Sequence, residues 1–194
     1  MIEISDRQKE IIDSAGRILT QSGVSGLTTK KLAKEMGFSE AAIYRHFSSK
    51  EEIILSLLRY LGENMDSRLA EVIHSGANPE ENLLGVFRSQ FQFFEQNPHF
   101  VVAVFSDGLL EESEQINQAI LNLMQIKMKY LMPIILAGQQ EGYFTRKVSA
   151  DELVHITLGA FRLHMFKWRI SNFKMNIQQS GTQMIQSILN LIKV

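Results

Sequence analysis

Within the 194-residue chain, the side chains best suited to chemistry crowd between Thr28 and Lys50. Five cations (Lys30, Lys31, Lys34, Arg45, Lys50) stand there against two acids, Glu35 and Glu40. Thr28, Thr29, Ser39 and Tyr44 add hydroxyls, and His46 adds an imidazole. Such groups are the usual donors to phosphate oxygens. Ala41 and Ala42 are sized to touch a thymine methyl, and Glu40 can accept from a cytosine amino group. Tyr44, His46 and Lys50 are placed to reach phosphates on either side. This is the chemistry of duplex recognition, with no bond made or broken.

Other chemistries lack their residue sets. The chain has no cysteine, so it has neither a disulfide framework nor a thiolate zinc site. It has no Gly-x-Ser-x-Gly turn, no His-Glu-x-x-His and no glycine-rich phosphate loop. His155 and His164 are nine residues apart, which puts them on opposite faces of a helix. Glu111, Glu112 and Glu114 read as a solvated turn and helix start, because they lack the partner spacing of a metal site. The expectation is therefore no catalytic residue, no metal and no cofactor.

The elements that position the basic stretch can be read from its punctuation. Thr28 or Thr29 caps a short helix, in which Leu32, Ala33 and Met36 face inward. Gly37 stops it, since glycine takes the left-handed conformation without strain. Ser39 caps a second short helix, Glu40 to His46, with Ile43 and Phe47 pointing inward. Ala33 is small enough for the two helices to cross closely, which suits a helix-turn-helix. Ahead of them, Ser5 and Gln8 form a capping box for a platform helix that carries Ile11, Ile12, Ala15, Ile18 and Leu19 and ends at Gly23. After them, Ser48 or Ser49 caps a long helix from Lys50 to His74, roughly 35 Å of rigid rod.

Beyond a linker at Ser75 to Asn78, helical periodicity continues and strand-like alternation is lacking. Asn78-Pro79 and Asn97-Pro98 each predict a helix start, with asparagine as cap and proline in the first turn. Further helices are predicted over Ser113 to Gly138 (kinked at Pro133), Ala150 to Ile170 (capped by Ser149 and Glu152) and Asn176 to Ile192. The predicted fold is all-α with about nine helices, divided into a head (1–49) and a larger C-terminal bundle (50–194). The helix from Ala150 is apolar on two sides, as is expected of one that packs on its own core and on a second subunit. A homodimer through the last two helices is the resulting expectation. Phe87, Phe91, Phe105, Met124, Met128, Phe161, Met165 and Trp168 are candidates to line an apolar effector pocket. His164, with Gln92, His99 and Arg162, can orient the ligand. A hydrophobic fraction of 45% and a net charge of −1 suit a globular protein that touches a polyanion with one end only. The N-terminus lacks a signal pattern, and no apolar run approaches the ~18 residues of a membrane span. The expected location is the cytoplasm, with no membrane partner.

The string TTKKLAKEMGFSEAAIYRHFSSKEEI also resembles the DNA-binding head of the TetR/AcrR family of bacterial transcriptional regulators. The marks are the paired threonines, the A-x-x-x-G-F-S turn, the aromatic-x-His-Phe step and the S-K-E-E helix entry. The resemblance runs over roughly residues 7 to 58 and continues in the helical pattern and the G-Q-Q-E-G-Y-F stretch at Gly138 to Phe144. It implies a homodimer on a near-palindromic operator, a repressor released by a small, largely apolar ligand in the C-terminal part. Thr29, Tyr44, His46 and Lys50 match the family's phosphate contacts, and Ser39, Glu40, Ala41, Ala42 and Arg45 match its groove-facing residues. Thr28 and Lys30 complete the candidate surface. The alternative is a helical dimer that organises DNA or binds a protein partner without a ligand.

Overall fold

The computed structural model describes residues 4–74, 76–105, 107–110 and 112–194. Ser75, the first residue of the expected linker, and Glu111 of the acidic trio lie outside them. Nine α-helices are formed among the described residues, and no strand. An isolated bridge pairs Phe144 with Lys193. The chain divides into two compact units, Met1–Glu63 with His99–Leu123, and Asn64–Pro98 with Met124–Val194.

In the first unit, α1 (Asp6–Gly26) opens on the Ser5/Gln8 capping box and buries Ile11, Ile12, Ala15, Ile18 and Leu19. Gly23 breaks its helical geometry with a φ of 66°, at the expected place. Helix α2 (Thr29–Met36) is capped by Thr28, whose hydroxyl accepts from the Lys31 amide, and is closed by Gly37 at φ 68°. Helix α3 (Glu40–Tyr44) is capped by Ser39 and is shorter than the sequence suggests. Ile43 and Phe47 are buried behind it. At the head of α4 (Lys50–Val72) two serines share the cap. Ser49 accepts from the Glu52 amide, and the Glu52 carboxylate accepts from the Ser48 amide and hydroxyl. A 3₁₀ turn (Pro98–Phe100) and α6 (Val101–Phe105) then pack on α1. Gly16 carries no side chain where the rings of His99 and Phe100 approach, and the Thr20 hydroxyl donates to the His99 carbonyl at 2.8 Å.

In the second unit, Asn78 caps α5 (Pro79–Gln96) as expected. Asn97 does not cap the segment after it. Its side-chain amide donates to the Phe93 carbonyl at 2.9 Å, so it closes the preceding helix instead. Arg68 of α4 lies against α5. It donates to the Ser89 carbonyl and hydroxyl and stacks 4.4 Å over the Phe93 ring, and burial brings its pKa down to about 10. Asp66 accepts from Lys129 Nζ and from the Tyr130 hydroxyl, both at 2.8 Å, and these bonds hold its carboxyl below the usual range.

Lys129 and Tyr130 belong to α7 (Glu114–Gln140), which runs through Pro133; Gly142, at φ 82°, lies in the turn beyond it. By length and composition α7 could cross a membrane, with a mean hydropathy of 1.3 over 18 residues, a test that the core helix of a soluble protein also passes, so the expectation of no membrane span is not overturned. Helix α8 (Ala150–Ile170) opens on the Ser149/Glu152 box, and α9 (Ile177–Ile192) on Asn176. Helix α9 packs on α5 where Gly181 admits the Phe91 ring. A β-carbon there would overlap that ring. Gly181→Ala should therefore cost about 1–3 kcal/mol through overpacking, read as a lower melting temperature.

Candidate nucleic-acid interface

The head exposes what α3 does not bury. Tyr44 is 51% exposed. Ser39, Glu40, Ala41 and Arg45 are exposed beside it, as are Thr28, Lys30 and Lys34 of the neighbouring helix, while Thr29, Ala42, His46 and Lys50 are half-buried. Ile43, between Ala42 and Tyr44, is fully buried, so one face of the short helix fixes the other. Two of the candidate hydroxyls act as caps: Thr28 on the Lys31 amide and Ser39 on the Ala42 amide.

Three candidates form one cluster. The Thr29 hydroxyl donates to a Glu40 carboxylate oxygen at 3.1 Å and lies 3.2 Å from the Tyr44 hydroxyl. Glu40 thus orients Thr29, a role that competes with accepting from a base. The other acid of the stretch, Glu35, accepts from Ser14 Oγ and Arg17 Nε of α1, each at 3.2 Å. Both acids are engaged within the head, which leaves the cations to set its outward field. Lys31 donates to Ser22, and His46 accepts through its carbonyl from Gln8. Lys50 is ion-paired to Glu112 at 3.0 Å, a partner that no local sequence signal indicates.

The effector candidates are only partly brought together. Phe161 lies 5.3 Å from Phe87 and 5.4 Å from Phe91, ring centre to ring centre, and all three are buried. Phe91 also meets the His164 ring at 6.1 Å. Met165 and Trp168 continue the buried stripe of α8. Met128 is half-buried, whereas Met124 is 51% exposed. Phe105 belongs to the other unit. His164 Nε2 lies 3.0 Å from Ser180 Oγ, whose proton goes to the Asn176 carbonyl, so the imidazole is the donor. Burial, then Lys167, lowers its pKa, in keeping with a neutral ring.

Sequence reasoning missed Lys127. Its ammonium sits 5.2 Å over the Phe161 ring, and burial, with Arg162 nearby, brings its pKa down to about 8. Among the described residues, the buried donors Gln90 Nε2 and Trp168 Nε1 have no hydrogen-bond partner. No group of acids and histidines among them is arranged to hold a metal.

A helix, a left-handed glycine and a second short helix, with Lys30, Lys34 and Arg45 exposed around it, make a helix-turn-helix DNA-binding head. Residues 11–57 match the family described as bacterial regulatory proteins, tetR family, and residues 59–192 match the C-terminal region described as YsiA-like. The chain belongs to the tetR family of bacterial transcriptional regulators. It is similar to the HTH-type transcriptional repressor KstR2 of Mycobacterium tuberculosis, at 26% identity over 190 residues, 96% of this chain and 93% of that one. It is 32% identical over 122 residues to the nucleoid occlusion factor SlmA of Vibrio atlanticus, 62% of each chain. In fold it resembles FadR of Bacillus subtilis, solved in complex with stearoyl-CoA, with a TM-score of 0.81 at 20% identity over 93% of this chain and 97% of that one.

Tyr44→Phe removes one uncharged donor. It should weaken all duplex sequences alike, by about 0.5–1.5 kcal/mol per head, without changing the salt dependence. Ala41→Glu should instead alter sequence preference in a selection from random duplexes. The reverse pattern would overturn the division between phosphate-facing and base-facing residues.

Proposed function

We propose that this regulator is a homodimeric repressor. Its two heads would bind successive major grooves of a near-palindromic operator, and a small, largely apolar ligand held among the aromatic rings of the second unit would release it. The duplex-facing residues are Thr29, Tyr44, His46 and Lys50 toward phosphates, with Ala41, Ala42 and Arg45 toward the bases. The observation that carries the DNA half is that Glu35 and Glu40 are both engaged by partners within the head, beside exposed Lys30, Lys34 and Arg45.

The dimer reading rests on α8 and α9. On α8, Ile156, Leu163, Phe166 and Ile170 are 56%, 60%, 48% and 64% exposed, and their spacing puts them on one side. Helix α9 has no charged residue in its 16, although Gln178, Gln179, Gln183, Gln186 and Asn190 are exposed. Loss of charge beside an exposed apolar stripe is the composition of an interface core. Leu163→Glu should yield monomers in sedimentation with the helical circular dichroism retained, and operator affinity should fall with it. A dimer unchanged by this substitution would place the interface elsewhere.

For the ligand, Phe87, Phe91 and Phe161 offer an apolar bed, and Lys127 offers a cation at its margin. Together they favour an apolar chain with an anionic end. The stearoyl-CoA bound by FadR is of that kind. The rival reading, a DNA-organising dimer without a ligand, draws on the likeness to the nucleoid occlusion factor. That likeness covers 62% of the chain, against 96% for the repressor KstR2. With stearoyl-CoA as probe and a duplex selected from genomic fragments, saturating ligand should weaken DNA binding by about 5- to 150-fold, and DNA should weaken ligand binding by the same factor. Ligand binding without any change in DNA affinity would remove the release mechanism and leave the DNA reading standing.

A further inference from the structure

Lys50 opens α4 and carries its charge at the edge of the duplex-facing surface. Its ammonium lies 3.0 Å from the Glu112 carboxylate, and each side chain keeps 32% of its exposure. Both residues belong to the same compact unit. Glu112 is not a loose surface acid. Its amide donates to the carbonyl of Leu109, which is fully buried, and the next residue, Ser113, accepts from the Ile116 amide in the first turn of α7. The 3₁₀ turn that contains Leu109 packs on α1, as does α6 before it. Glu112 is thus tied to Leu109 through its own amide while its carboxylate pairs with Lys50.

A carboxylate oxygen and a phosphate oxygen are alternative acceptors for one ammonium. If DNA takes Lys50 away, the ion pair is lost. If Lys50 serves both, two anions share one cation and repel each other. Either route lowers affinity for any duplex, whatever its sequence, because only the backbone is involved.

We propose that Glu112 is a built-in competitor for Lys50, an intramolecular anion that weakens the grip on DNA phosphate. The proposal rests on the reading of Lys50 as a phosphate contact. Under it, the DNA-free head is held with one of its cations already occupied. A dimer contains the device twice, so its effect on affinity is squared.

The test is a double-mutant cycle on the full-length dimer, with a mixed-sequence duplex of about 30 base pairs as probe over a range of salt. Lys50→Met should weaken binding and make the logarithmic salt slope shallower by about 0.9 per head. Glu112→Gln should tighten binding by about 2- to 5-fold per head, the strength of an exposed ion pair. In the Lys50→Met background the same substitution should do almost nothing. Equal tightening in both backgrounds would mean a general loss of negative charge near DNA, and would overturn direct competition. Unchanged or weaker binding by Glu112→Gln alone would overturn it too. If Lys50→Met has no effect, the phosphate reading of Lys50 fails and takes the proposal with it. If it weakens binding but Glu112→Gln is neutral, the proposal fails alone. Melting temperatures are read alongside, and Glu112→Ala stands in if the glutamine variant melts early. A partly unfolded sample cannot produce the expected gain in affinity.

Discussion

A five-residue helix has no stability of its own. Isolated helices shorter than about 12 residues are marginal in water even with favourable sequences, and α3 spans only Glu40–Tyr44. What holds it is burial on one side and punctuation at its start. Ile43 and Phe47 leave water almost entirely, each worth roughly 1.5–3 kcal/mol of transfer. Gly37 takes the left-handed turn that brings the chain back, and Ser39 satisfies an amide that the short helix cannot. Ala41, Ala42 and Tyr44 therefore face outward as a consequence of what Ile43 does inward. A polar residue at position 43 would remove the recognition surface without touching a single residue in it.

The same economy governs charge. A basic surface built from few cations is easily cancelled, and the stretch carries two acids of its own. Both are given internal work. Glu35 binds Ser14 and Arg17 of the platform helix, and Glu40 receives the Thr29 hydroxyl, which in turn lies beside Tyr44. The acids build the geometry that the cations use. Further along the chain the arrangement is different. Arg68 and Asp66, near each other on α4, are spent on α5 and α7, where they tie helices together. One continuous helix thus carries the proposed phosphate-facing cation at its start and structural polar contacts near its other end.

How much of this was legible depends on range in sequence. Ser5 with Gln8, Ser149 with Glu152, and Asn78 with Pro79 are local devices, complete within four residues, and each is formed as read. Asn97 shows where local reading fails. It stands between two helical segments, so the same dipeptide can open the second or close the first, and the Phe93 carbonyl one turn back takes its amide. Helical spacing identified Phe87, Phe91, Phe161, Met165 and Trp168 as inward-facing, because burial follows a stripe. The same spacing did not separate Met124, which stays exposed, from Ile116, Leu123, Leu131 and Ile135 of the same helix, which are buried. Arg17 with Glu35, Lys50 with Glu112, and Lys129 with Asp66 were invisible, because no periodicity links residues that only folding brings together.

In the proposed dimer, the neutral face of α9 answers what a two-fold axis demands. At such an axis a residue meets its own copy, so any charge there would face a like charge and lose its water as well. A purely apolar face escapes that penalty but leaves a sticky surface on every free subunit. Glutamine and asparagine resolve the conflict. Each carries both a donor and an acceptor, so each can pair with its own copy or with water at similar strength. In the proposed dimer, the amides of Gln178, Gln179, Gln183, Gln186 and Asn190 would supply self-complementary polar contacts, while Leu163 and Ile170 of α8 would supply the apolar burial. Selectivity for a second copy of this chain then requires no ion pair. A paralogue with a single acid on the corresponding face would be excluded by desolvation alone.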